Sequence, residues 1–455
     1  MDVIASPSRR PHRKEHLVYR QGSFVVTIAL LALAVLVGAD RAGRAQPPPT
    51  VDGLVEASAM GQLVQGRQIF RFDTFGSEAF WGGSLRLHEA IAGLSPRAAL
   101  AAGLKVDVDV LPAAIVGALQ RNEVNLDDPA VTLTLLRGNA VIGVTGFFDA
   151  SGGLASVGIQ CALCHSVVNN SLAPGIGTRL DGWANRDLNI GAIVALAPNV
   201  QPIVDLLRLA NPSIDATAVR TVLNSWGPGK FDAALLLDGK AMNPNTGRSA
   251  ATLIPPAFGL AGVNLHTSTG WGSISYWNAF VANLAMHGRG RFFDPRLANA
   301  AKFPIAAAAG FADVRGTPDL VTPKLAALHL YQIALPAPAP PAGSFDAAAA
   351  ARGQTLFTGR ADCARCHVPP LFTEPGWNLH APAEIGIDSF QADRSPDGRY
   401  RTAPLRGLWT HQKGGFYHDG RFATLADVVG HYNATFGLGL SAQEASDLVE
   451  YLKSL

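Results

Sequence analysis

Cysteine and methionine are both scarce, with four of each in 455 residues. The methionines are Met1, Met60, Met242 and Met286, so no thioether side chain lies beyond position 286. Glutamate is missing over the long stretch between Glu123 and Glu374. Charged residues make up only 16% of the chain, and neither a nucleotide-binding glycine loop nor a catalytic serine arrangement is found. These gaps exclude a disulfide framework, a methionine metal ligand in the last third, and a strongly charged nucleic-acid surface.

All four cysteines fall in two CxxCH runs, Cys161-Ala-Leu-Cys164-His165 and Cys363-Ala-Arg-Cys366-His367. That run is the attachment signature of c-type haem. Two intervening residues place both thiols along one porphyrin edge, and the next histidine reaches the iron from below. A zinc site would need its ligands to converge on one point. A dithiol redox pair would not explain a histidine after each pair. Two covalently bound haems are expected, with His165 and His367 as proximal iron ligands.

The length allows two or three domains with real cores, and 48% hydrophobic content suits a compact fold. Residues 1–45 read as an export signal: a basic stretch, an apolar run from Phe24 to Val37, then small residues before Gln46. That run is shorter than the roughly 20 residues a spanning helix needs. The leader holds seven Lys/Arg against Asp2, Glu15 and Asp40; without it, 30 basic residues of 37 face 32 acidic residues of 35. The net charge of +2 is therefore a property of the leader. No nucleic-acid partner is expected, and a membrane enters only through an uncleaved leader. The expected place is the periplasm, where c-type haem is attached.

Pro336-Ala-Pro-Ala-Pro-Pro-Ala-Gly343 can be neither helix nor inner strand and predicts an extended linker. It divides a large unit, 51–335, from a small one, 344–455. The small unit has the size of one cytochrome c domain. Its first helix is predicted from Asp346 to about Phe357, with Gly353 and Phe357 on one face. Its last helix starts at Ser441, where Glu444 completes a capping box, and carries the stripe Leu448, Val449, Leu452, Leu455. The large unit repeats the plan with insertions. Gly66 to Phe70 echoes Gly353 to Phe357. At a shift of 148, Pro256, Gly259, Leu260, Gly272 and Val281 match Pro404, Gly407, Leu408, Gly420 and Val429. Inserted helices are expected around Ala98–Ala102 and Pro112–Gln120. The fold class is mostly α: two cytochrome c-like domains, the first enlarged.

The stretch from Tyr400 to Tyr432, with Arg401, Thr402, Pro404, Arg406, His418, Asp419, Gly420, Arg421, Phe422, Thr424 and Leu425, resembles the C-terminal haem domain of the bacterial diheme cytochrome c peroxidase/MauG superfamily. The resemblance implies a haem-dependent oxidoreductase of peroxidase type. It implies a distal ligand for the second haem at Tyr432, tyrosine as in MauG, with His431 as the competitor because adjacent helical residues point about 100° apart. It places substrate chemistry at the first haem and electron storage at the second. It further implies a calcium ion between the domains, with no residues assigned to it, and a redox partner such as a small cytochrome, a cupredoxin or a dehydrogenase.

Other roles stay open. Under the 148 shift Leu284 stands where Tyr432 does, which predicts an open first haem unless Met286 or His287 bends in. The glutamate that peroxidases of this kind place above the open iron is missing, and Asp181, Asp187, His266 and His287 are the substitutes. Arg401 and Arg406 are candidates for the haem propionates, and His418 for a structural turn. Trp183, Trp271, Trp277, Trp377 and Trp409 are candidates for an inter-haem relay, each with core packing as the simpler role. The alternatives to a peroxidase are a non-enzymatic electron-transfer cytochrome and a diheme oxygenase using dioxygen.

Overall fold

The computed structural model describes residues 50–455 apart from Gln412; the predicted leader lies outside the described residues. Residues 50–58 form a unit of their own at the start of the helix Val51–Phe72, and the rest of the fold is built from Ala59–Leu455. Helices dominate. The described strands form six two-stranded ladders and no wider sheet. None of the described helices is long and apolar enough to cross a membrane.

The predicted terminal helices of the small unit are present. Asp346 caps Ala347–Thr358, its Oδ1 accepting from the amides of Ala348 and Ala349. Ser441 and Glu444 form the capping box of Ala442–Lys453. The two helices cross at Gly353. A Cβ there would lie 2.0 Å from the Asp447 carbonyl oxygen and 2.6 Å from its carbonyl carbon. Phe357, fully buried, meets the Tyr451 ring edge-on at 5.1 Å. Leu448 and Leu452 complete the seam, with Val449 and Leu455 at its margin.

The same crossing occurs in the large unit. A Cβ on Gly66 would lie 2.0 Å from the Ala327 carbonyl oxygen and 2.7 Å from Tyr331 Cβ. Phe70 then packs on the Tyr331 ring at 5.6 Å. Glycine, phenylalanine four residues on, and a tyrosine from the partner helix thus recur. The partner helix here, Leu325–Ala334, carries no capping signal and is not legible in the sequence.

The insertions supply the largest apolar core. Pro96–Ala101, capped by Ser95, and Ala113–Gln120 match the predicted helices within two residues. The hairpin Val144–Phe148 with Leu154–Ile159 and the helices Ile190–Ala195, Gln201–Leu207 and Ala216–Ser225 join them around Leu85, Leu136, Val157 and Val204. Pro336–Gly343 is irregular, as proline demands, but it is not a free spacer. The Pro338 carbonyl accepts from Trp409 Nε1 at 3.0 Å, and the preceding Leu335 carbonyl accepts from Gly259 N at 2.8 Å. Across the fold, Arg394 is wholly buried between Asp232 and Asp238, with closest N–O distances of 3.0 and 2.8 Å. Its remaining N–H groups meet the Ala250 and Lys240 carbonyls.

Candidate functional site

The first attachment motif sits on the short helix Ala162–His165. Its thiols form no disulfide, and burial pushes both up to about 12. His165 Nδ1 lies 3.1 Å from the Pro255 carbonyl oxygen. Only a ring N–H suits a carbonyl acceptor, so Nδ1 carries the proton and Nε2 keeps its lone pair. A metal-binding histidine is oriented in this way. Burial lowers its pKa to about 4, which keeps the ring neutral and able to ligate.

The second motif turns tightly over Cys363–Arg365. His367 Nδ1 lies 3.2 Å from the Phe372 carbonyl oxygen, and the ring interacts with the carbonyl of Ala403 as well. Burial lowers its pKa too. Pro255 and Ala403 are themselves 148 residues apart, so one repeat position serves both histidines. Sequence reasoning missed these carbonyls, although the shift already aligned the prolines that follow them.

Both motifs open onto a single cavity of about 900 Å³. Ligand pockets commonly span roughly 300–1,000 Å³, so there is room for large planar groups. Several buried polar atoms on its wall have no hydrogen-bond partner among the described residues: Gln160 Oε1, Arg186 Nε, Trp226 Nε1, Trp277 Nε1 and His411 Nε2. Arg186 and His411 come from different halves and are close enough to interact. Burial pushes Arg186 and Arg401 down to about 10. Arg401 donates to the Leu265 and Thr267 carbonyls. Buried cations and N–H groups are costly without an anion or acceptor. The propionates of a haem would supply one, and the neutral histidines and the two thiols of each motif fit its iron and vinyl edge. Arg406 also lines the cavity.

The helix Leu425–Phe436 presents Leu425, Val428, Val429 and Tyr432 to the cavity. His431 turns away and meets the Ile385 carbonyl at 2.9 Å. Burial raises the Tyr432 hydroxyl pKa, and the neighbouring Tyr417 hydroxyl opposes that rise. His418 stacks on Tyr400 at 5.1 Å on the cavity wall and holds Leu253 N through its carbonyl.

The expectation for Leu284 is corrected. Val281 keeps the repeat register, but Val281–Ala285 is a π-helical turn. The wider turn shifts the residues that follow. Ala285, Met286 and His287 line the cavity, while Leu284 is buried away from it.

Three of the substitute acid–base groups are already engaged. Asp181 is held by Arg71, Tyr331 and Ser166, and Asp187 by Lys105 and Lys413. His266 Nε2 meets the Val263 carbonyl. Among the tryptophans, Trp183 and Trp409 touch edge-on at 5.4 Å, one from each half. Trp271 and Trp277 line the cavity, and Trp377 is 74% exposed.

Among the described residues, Cys366, Glu374 and His380 form a metal-capable group. Thioether formation would consume the Cys366 sulfur, and thiol and imidazole are not calcium ligands. The implied calcium ion therefore gains no residues.

No family model matches the chain. Over 122 residues it is 33% identical to methylamine utilization protein MauG of Methylorubrum extorquens, covering 23% of this chain and 34% of that protein. Over 153 residues it is 29% identical to a cytochrome-c peroxidase of Denitromonas iodatirespirans, covering 24% and 40%. These matches agree with the resemblance of residues 400–432 to the diheme cytochrome c peroxidase/MauG superfamily. The chain spans between a third and two fifths of the length of these curated relatives. Two solved structures are also similar: hydrazine synthase of Kuenenia stuttgartiensis, at 19% identity and a TM-score of 0.30 over 46% of this chain and 74% of that one, and a MauG-like protein associated with microbial copper homeostasis, at 19% and 0.29 over 48% and 79%.

Proposed function

We propose that the protein is an exported diheme c-type cytochrome with an enzymatic first haem, of the peroxidase/MauG kind. Cys161, Cys164 and His165 hold one haem in a domain spanning 51–335, and Cys363, Cys366 and His367 hold the other in a domain spanning 344–455. The observation that carries this reading is the single cavity onto which both motifs open, each with its histidine Nδ1 tied to a carbonyl. When bound, haem c supplies a one-electron couple at each iron.

The chain's own groups do the rest. Tyr432 would be the residue of the helix Leu425–Phe436 to hold the second haem, and Arg186, Arg401 and the indole N–H groups of Trp226 and Trp277 would hold propionates. The Trp183–Trp409 pair connects the halves beside Phe258, which lines the cavity. Electrons arrive from a redox partner outside the chain, such as a small cytochrome, a cupredoxin or a dehydrogenase, in the periplasm.

A dioxygen-using oxygenase is the second reading, favoured by the apolar wall of Phe80, Val281, Ala285 and Met286 beside the first motif.

Electron paramagnetic resonance of the diferric protein, with peroxide addition followed optically, tests both. One high-spin and one low-spin signal with a new absorption spectrum on peroxide supports the peroxidase. The same two signals with no response to peroxide, but a stable dioxygen complex after reduction, supports the oxygenase. Two low-spin signals inert to peroxide leave an electron carrier.

A further inference from the structure

We propose that His287 takes the proton from a small protic ligand, such as hydrogen peroxide, as that ligand enters the open face of the first haem. This rests on the reading that Cys161, Cys164 and His165 hold a haem with one face free.

The position comes from the helix that flanks the motif. Ala282 and Met286 share a core with Ala162, and Cys161 packs against it. His287 follows directly and lines the cavity. Its backbone is left-handed, at φ 57°, which is uncommon for histidine. Such strain persists only where the surroundings impose it. Here they do: Trp81 Nε1 donates to the Met286 carbonyl, Gly288 N to Ala282 and Arg289 N to Phe75, each at 2.8 Å. Gly288 leaves no slack, since a Cβ there would lie 2.6 Å from the Ala282 oxygen.

The ring is as tightly placed. It stacks on Phe80 at 3.6 Å with 13° between planes, and Trp81 closes one edge at 6.2 Å. No hydrogen bond among the described residues reaches its nitrogens. The half-buried imidazole therefore turns unpartnered nitrogens to the cavity, where a ligand can reach them. Burial alone lowers its pKa to about 4, so one nitrogen offers a lone pair at neutral pH.

The step needs no further reagent. The ligand's bond to hydrogen breaks, its electron pair stays on the donor atom, and an N–H bond forms on His287. Asp181, Asp187 and His266 are engaged elsewhere, which leaves His287 as the free base of the set named from sequence.

Cyanide binding to the ferric, full-length holoprotein is the test, because hydrogen cyanide must lose its proton on binding. In His287→Ala and His287→Gln the association rate should fall about 100-fold, with haem content and the high-spin signal retained. His287→Glu should recover most of that loss. An association rate close to wild type in both variants, with haem and spin state intact, overturns the proposal and leaves the haem reading standing. A wild-type first haem that is low-spin, and turns high-spin in His287→Ala, makes His287 an iron ligand and overturns the proposal. Absence of haem at Cys161 and Cys164 overturns both.

Discussion

His165 Nδ1 lies 3.1 Å from the carbonyl oxygen of Pro255, and His367 Nδ1 lies 3.2 Å from that of Phe372. The contact decides which nitrogen is free. With Nδ1–H committed to the backbone, each ring presents Nε2 to the cavity with its lone pair available.

Attachment and ligation should therefore separate. His165→Ala keeps both thiols and should retain two haems per chain with an altered spin state. Cys161→Ala with Cys164→Ala should leave one. Pyridine haemochrome titration checks the counts, and equal loss in both variants would remove the division of roles.

The helix crossings predict large penalties at small residues. Gly353→Ala and Gly66→Ala should each cost about 2–4 kcal/mol, because a backbone carbonyl must move. At Gly430, within the helix Leu425–Phe436, an added Cβ would meet no atom within 4 Å. Gly430→Ala should gain about 0.5–1 kcal/mol. Chemical denaturation measures all three, and a neutral Gly353→Ala would remove the crossing.

Tyr432 and His431 should behave oppositely. Tyr432→Phe should raise the midpoint potential of the second haem by on the order of 100 mV and abolish its low-spin signal. His431→Phe should leave both near wild type. Spectroelectrochemistry distinguishes them, and a shift confined to His431→Phe would reassign the ligand.

Acid should weaken the fold early. Burial lowers His266 and His418 to about 4 and His411 to about 3. Each folded pKa is below the unfolded value near 6.5, so the unfolded chain binds more protons between them. The stability they contribute is complete above about pH 6.5 and is lost as pH falls towards about 4. The melting temperature of the holoprotein should drop steadily across that interval; a flat profile there would count against neutral buried histidines.

Arg394→Met should cost about 3–5 kcal/mol, because Asp232 and Asp238 would be left buried and unpaired. Adding Asp232→Asn and Asp238→Asn should recover much of the loss. Thermal denaturation of the single and triple variants reads the difference.

Local chemistry was legible in the chain. The CxxCH spacing, the caps at Asp346 and Ser441 and the Gly–Phe echo rest on contacts between near neighbours in sequence, and such contacts leave fixed intervals. The methionine inventory likewise removed one ligand type from the second half without any coordinates. Positions that depend on partners from distant segments were not legible. A π-helical turn moved Leu284 off the cavity, which no repeat count detects. The proline-rich strap is held by Trp409, and the partner helix of Gly66 comes from Leu325–Ala334. Which of Tyr432 and His431 faces the cavity, and which histidine nitrogen stays free, depended on carbonyls at Ile385, Pro255 and Phe372. Sequence alone determined the two CxxCH runs and the inventory of groups able to ligate. Tertiary structure alone decided which of them face one another, because a hydrogen bond between distant segments is set by packing and leaves no interval to read.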